Sequence, residues 1–147
     1  MRWILLDTIV AIEKGRCALS SATLPQAPYS TEILMLEMMA QTGGVLLGAE
    51  SDFKKNVMFA KIEQSHFQLV GHAGASLQIH AASEQLREEG AWIDAKVTHR
   101  EQILAEARLM LAVVPDLVPG LEKCFTFHEA FMEHYDVRNK IKRISGT

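Results

Sequence analysis

Residues 30–50 read STEILMLEMMAQTGGVLLGAE, a segment that is apolar nearly all the way round when laid on a helix. A helix with one apolar stripe can rest on one face of a sheet, but a helix with no polar face has to be enclosed. The segment therefore demands neighbours on every side. Its limits are written in the chain. Pro25 and Pro28 in PQAPYS (25–30) mark a loop that cannot lie inside a sheet. Ser30 or Thr31 then caps the helix, Glu32 sits in its first turn where an acid suits the helix dipole, and the helix runs to about Leu47. One residue disagrees with this setting: Glu37 stands between Leu36 and Met38 in what reads as the centre of a core.

The rest of the chain supplies material for the enclosure. Residues 3–13 (WILLDTIVAIE) and 16–24 (RCALSSATL) read as two strands joined by a turn at Lys14-Gly15. Strands are also expected over 57–69, 75–88, 91–101 and 103–114, with turn signals at Val70–Gly74 and Glu89-Gly90. Alternation is cleanest around Trp92, Asp94 and Lys96, with Ile93, Ala95 and Val97 on the opposite face. Glu101-Gln102 is either a tight turn or a bend in one hairpin arm, and the leucines and alanines of 103–112 would also suit a helix. After the Pro/Gly hinge VPDLVPG (114–120), residues 125–144 show helical spacing, with basic residues in the last turn. Two strands, one long helix, several antiparallel strands and a tail helix make an α+β chain. A strongly curved antiparallel sheet wrapped round the central helix satisfies the demand of residues 30–50. The expected division is one domain over 1–114 and a C-terminal extension with a helix over 115–147.

Several function classes are disfavoured. The chain has 147 residues, enough for one domain with a sizeable core. A net charge of −3 gives no strong field toward nucleic acid or an anionic membrane. Cys17 and Cys124 are far apart and outside any CxxC motif, so neither a disulfide framework nor a zinc site is expected, and a reduced cytoplasmic setting is the default. The N-terminus carries Asp7 within its apolar run and lacks a signal-peptide cleavage site, and no apolar stretch approaches the roughly 18 residues of a membrane span. No Gly-rich phosphate loop and no nucleophile elbow is present, and no cofactor is implied.

ILLD (4–7), LEMMAQTGGVLL (36–47) and MFAKIEQSHFQLVGHAG (58–74) together resemble the hotdog-fold 3-hydroxyacyl-ACP dehydratases of fatty acid synthesis, in order and at plausible spacing over about residues 3–114. The resemblance implies a hotdog fold, an acyl thioester on acyl carrier protein or CoA as substrate, and a catalytic carboxylate at Glu37. It matches the family's glutamine to Gln41, one helical turn later. It further implies that Gly44, Phe59 and Ala60 border the acyl chain, as does the turn holding His72, where His72 is either a substitute for a family histidine or a solvated turn residue. The family also carries a Gly-His-Phe-Pro-Gly loop before the helix, whose histidine is the second catalytic group. Here that stretch is TLPQAPYSTEIL (23–34), with neither His nor Gly.

The chemistry explains why this absence matters. Dehydrating a 3-hydroxyacyl thioester takes a proton from C2 and expels the C3 hydroxyl as water, which needs a base and an acid. Donors to the thioester oxygen stabilise the charge that grows there. By the resemblance the histidine is the base and the carboxyl protonates the leaving hydroxyl. Burial among apolar residues raises a carboxyl's pKa and suits it to that role. The opposing reading makes Glu37 a structural carboxylate, paired with Arg or Lys across a subunit interface. Three functions follow from one carboxylate: a dehydratase-like lyase whose histidine comes from a partner chain, an acyl-thioesterase using Glu37 as base or nucleophile, or a non-catalytic acyl-binding subunit. Gly43 and Gly44 each cost the helix about 1 kcal/mol relative to Ala, which close approach of a ligand or backbone would justify. The methionines Met35, Met38, Met39 and Met58 are either plain core or an adaptable acyl-tunnel lining. The basic spots DFKK (52–55) and RNKIKR (138–143) are either solvated faces or docking points for an acidic carrier protein. Exposed sheet edges lead to an expected homodimer or heterodimer.

Overall fold

The structure, a computed structural model, describes residues 4–68, 71–114 and 129–142. Strands β1 (Thr8–Glu13) and β2 (Cys17–Thr23) form a hairpin. Its turn closes by a hydrogen bond from Arg16 N to Glu13 O of 2.9 Å, with Gly15 at φ +77°, a backbone that favours glycine. Helix α1 (Thr31–Ala49) follows, and Ser30 is its cap, its side chain accepting from Ile33 N at 3.3 Å. Strands β3 (Asn56–Phe67), β4 (Ser76–Arg87), β5 (Gly90–His99) and β6 (Gln102–Val114) complete the main sheet. Residues 103–112 are strand, because every inward side chain between Leu104 and Leu111 finds the core. Glu101-Gln102 resolves as a tight turn: Arg100 and Glu101 take φ 49° and 67°, and His99 pairs with Gln102.

The strand order is β3-β6-β5-β4-β2-β1-β7, with antiparallel pairing from β3 through β1. Helix α1 packs against each of β1 to β6, so the sheet curves round it in the expected hotdog arrangement. The second half of α1, from Gln41 to Ala49, is buried throughout, as are Leu34, Met35, Met38 and Met39. The first half departs from complete enclosure. Ile33 is 54% exposed, and Leu36, Glu37 and Ala40 are half-buried on the same side.

The tail differs from the single helix expected over 125–144. Among the described residues it forms α2 (Glu129–His134), α3 (Val137–Lys140) and the two-residue strand β7 (Ile141–Lys142). Asp136 at φ 49° ends the first helix, since a left-handed residue cannot continue a right-handed one. Its carboxylate then accepts from Asn139 Nδ2 at 2.8 Å. Ile141 and Lys142 leave helical geometry to pair in parallel with Ile12 and Glu13 of β1. Met132, Tyr135 and Val137 join the hydrophobic core, and the Tyr135 hydroxyl donates to Leu6 O at 2.6 Å. Residues 1–3, 69–70, 115–128 and 143–147, including the Pro/Gly hinge and both ends of the expected tail helix, lie outside the described residues.

Candidate active site

Helix α1 carries Glu37, Gln41 and Gly44 at spacings of four and three residues, which places them on one stripe. The stripe is ordered by hydrogen bonds whose direction is fixed. Leu5 N donates to Gln41 Oε1 at 3.3 Å, so the other end of that amide is the donor, and Gln41 Nε2 gives a hydrogen bond to Glu37 Oε1 at 3.1 Å. Gln41 is 8% exposed, which makes these bonds costly to lose. Burial pushes the Glu37 carboxyl above its usual range, against the smaller opposite effect of the Gln41 donor, which favours the charged form. Among the described residues no Lys or Arg pairs with Glu37. The ion pairs of the described residues lie elsewhere: Arg108 with Glu63, Glu84 and Asp94 on the outer sheet face, Lys14 with Asp52, Arg16 with Glu13, Lys55 with Glu88, and Arg138 with Glu129.

The two glycines differ sharply. A Cβ at Gly43 would stand 3.0 Å from Ile93 Cγ2 and 3.2 Å from Leu111 Cδ1, so Gly43 lets the helix approach the sheet. A Cβ at Gly44 would meet nothing within 4 Å among the described residues, although Gly44 is buried. Room therefore lies along the Glu37 stripe, one turn beyond Gln41.

Phe59 and Ala60 lie on β3, the edge strand beside the helix. Phe59 is 42% exposed, and Ala60 sits at a bulge between the Phe59↔Leu111 and Lys61↔Met110 pairs. His72 lies apart from this group. It is exposed in the turn before β4, edge-on to His99 with ring centroids 5.9 Å apart. Those two rings line a surface hollow of about 530 Å³ that Glu37 does not reach. His99 Nδ1 is engaged with Ser76 O at 2.7 Å. Residues 24–30, where the family histidine loop would fall, connect β2 to α1 without a histidine. Among the described residues no three or more of His, Cys, Asp and Glu are grouped so as to hold a metal ion, and no helix is long and apolar enough to cross a membrane.

The backbone amide of Leu5 was not foreseen as part of this group. Its only trace in the sequence is that ILLD belongs to the resemblance, since a main-chain donor leaves no mark of residue type.

No family model matches the chain. It is 30% identical over 123 residues to the 3-hydroxyacyl-(acyl-carrier-protein) dehydratase FabZ of Chloroflexus aggregans, covering 76% of this chain and 85% of that protein. Among solved structures it is similar to the dehydratase heterocomplex ApeI:P from Xenorhabdus doucetiae, with TM-score 0.64 and 17% identity over 77% of this chain and 84% of that one. It is equally similar to a thioesterase from Staphylococcus aureus, with TM-score 0.64 and 16% identity over 74% of this chain and 93% of that one. At these identities the two structures speak to the fold alone.

Proposed function

The chain belongs to the 3-hydroxyacyl-(acyl-carrier-protein) dehydratase family, and from that premise we propose that it is the carboxyl-bearing subunit of an acyl-thioester dehydratase. The observation that carries the reading is Glu37: a half-buried carboxyl, held by Gln41, with its pKa raised by burial, beside open room at Gly44. A carboxyl whose pKa is raised by burial is better suited to protonate a leaving hydroxyl than an exposed one. In the proposed step a base takes the C2 proton, the C3–O bond breaks, Glu37 gives its proton to the departing oxygen, and the enoyl thioester and water are formed. The substrate's apolar chain lies along the α1 stripe and Phe59 and Ala60 of β3, with the thioester on acyl carrier protein or CoA.

In this proposal Glu37 is the acid, and the base, the histidine that the family loop would carry, is taken from a second chain. The exposed edge of β3, with Met58, Phe59 and Ile62 between 38% and 42% exposed, is the proposed place for that chain to pair. A partner bearing the family histidine completes the pair, and the named heterocomplex among the structural relatives is consistent with such an assembly.

The lone carboxylate also favours a second reading, hydrolysis of the thioester with Glu37 as base or nucleophile. Product identity separates the two. The chain, alone and mixed with a histidine-bearing member of the same family, is given crotonyl and 3-hydroxyacyl thioesters. Interconversion of enoyl and 3-hydroxyacyl thioesters without thiol release supports the dehydratase. Thiol release supports the hydrolase, and binding without either reaction leaves an acyl-binding subunit.

A further inference from the structure

We infer that Tyr135, in the C-terminal segment, is a positioning residue for Glu37, acting through the Leu5–Leu6 backbone and the Gln41 amide. Three hydrogen bonds make the connection. The Tyr135 hydroxyl donates to Leu6 O at 2.6 Å, Leu5 N donates to Gln41 Oε1 at 3.3 Å, and Gln41 Nε2 donates to Glu37 Oε1 at 3.1 Å. Leu5 and Leu6 lie before the first strand, so no sheet ladder holds them. Leu5 is tied to α1, Leu6 to the tail, and Asp7 to β2 through a bond from its N to Ser21 O of 2.8 Å. Removing the tail's bond leaves the segment fixed at Asp7 and takes away the hydrogen bond on Leu6 O, next to the Leu5 amide, with the Leu6 side chain still packed in the core.

Three members of the relay are enclosed and two are half-buried. Tyr135 is 4% exposed, Leu6 3% and Gln41 8%, so water is a poor substitute for the bond from Tyr135 to Leu6, while Leu5 and Glu37 are half-buried. Tyr135 can only serve as donor to a carbonyl, and it remains one: burial, and then the Asp7 carboxylate, push its phenol up to about 12. The charged or titratable groups beside the relay are Asp7, whose carboxylate accepts from Thr23 Oγ1 at 2.7 Å, and His134, whose ring meets that of Tyr135 edge-on at 4.7 Å. Burial and Gln41 are what act on Glu37 itself. The consequence follows from direction. The Gln41 donor favours the ionised carboxylate, so a Gln41 amide that loses its anchor lets the Glu37 midpoint rise further.

The relay can be tested without any turnover, by following the Glu37 carboxyl carbon by NMR through a pH titration of the full chain. Tyr135→Phe keeps the ring against Phe131 and removes only the hydroxyl. The expected result is a higher Glu37 midpoint than in wild type, with no further rise when Tyr135→Phe is added to Gln41→Leu. Phe131→Leu, which loosens the packing and keeps the hydroxyl, is expected to lower Tm without moving the midpoint. A folded Tyr135→Phe chain with the wild-type midpoint overturns the inference. Should that variant fold poorly, the Leu5 amide of the wild-type chain decides. Protection from hydrogen exchange that Gln41→Leu removes supports the relay, and exchange at the rate of an unbonded amide overturns it. The effect on catalysis, a lower kcat at constant KM, rests on the dehydratase reading. A shifted midpoint without turnover would keep the relay and sink that reading.

Discussion

Glu37 is a carboxyl whose surroundings work against its charge. Its pKa in the folded chain is raised above the ordinary value of 4.5, with burial the larger cause. The folded chain therefore holds this proton to higher pH than the unfolded chain does. Below the unfolded value the group costs nothing in charge, and stability falls as pH rises through the folded value. Glu37→Gln keeps the acceptor for Gln41 and removes the charge. It should be more stable than wild type at neutral pH, by a margin kept small because the group is partly solvated. The gain should shrink toward zero near pH 4 in denaturant titrations, and a constant gain at all pH values would contradict this account. Glu37 was legible in the sequence as a carboxylate inside an apolar helix, and Gln41 and Gly44 were singled out by the family resemblance, with helical spacing putting all three on one stripe. The Leu5 amide and the Tyr135 hydroxyl were not, because bonds from Leu5 to Gln41 and from Tyr135 to Leu6 span 36 and 129 residues.

At the scale of elements, α1 is built from two different halves. The C-terminal half is enclosed and close to the sheet through Gly43. The N-terminal half turns Ile33, Leu36, Glu37 and Ala40 partly outward. The glycine pair tests this division. At Gly44 alanine should gain helix stability, up to about 1 kcal/mol, because its Cβ meets nothing within 4 Å among the described residues. At Gly43 the same methyl is forced against Ile93, and overpacking of about 1–3 kcal/mol should cancel or exceed that gain. Urea denaturation should rank Gly44→Ala above wild type and Gly43→Ala at or below it. Gly44→Ala should also weaken acyl-thioester binding, since it fills the proposed ligand space. The reverse ranking would place the tight contact at the wrong glycine. The helix and its Ser30 cap were readable from local chemistry. The bulge at Ala60 and the left-handed Asp136 were not, because no glycine marks them, and at Arg100 and Glu101 the sequence left a tight turn and a bend both open.

Across the whole molecule the two edges of the sheet are unlike. The short strand β7 pairs with β1 and covers part of that edge, whereas β3 runs 12 residues with only β6 beside it among the described residues. Such an edge, carrying Met58, Phe59 and Ile62, invites pairing. A dimer joined through β3 should be seen by light scattering when the chain is mixed with a histidine-bearing partner, and Ile62→Lys should shift it toward the separate chains while leaving the fold intact by circular dichroism. No complex between the two chains at micromolar concentration would remove the proposed route for a partner's base. The curved sheet round a central helix was legible because an apolar helix has to be enclosed. The tail's place was not, because its apolar spacing suits one helix as well as two short ones and a strand. The most direct test of the central claim is the rate of enoyl-thioester hydration by the chain paired with a histidine-bearing partner, compared between wild type and Glu37→Gln. If Glu37 is the acid, kcat should fall by about 10²–10⁴-fold with the assembly intact. Equal rates in the two assemblies would contradict the account.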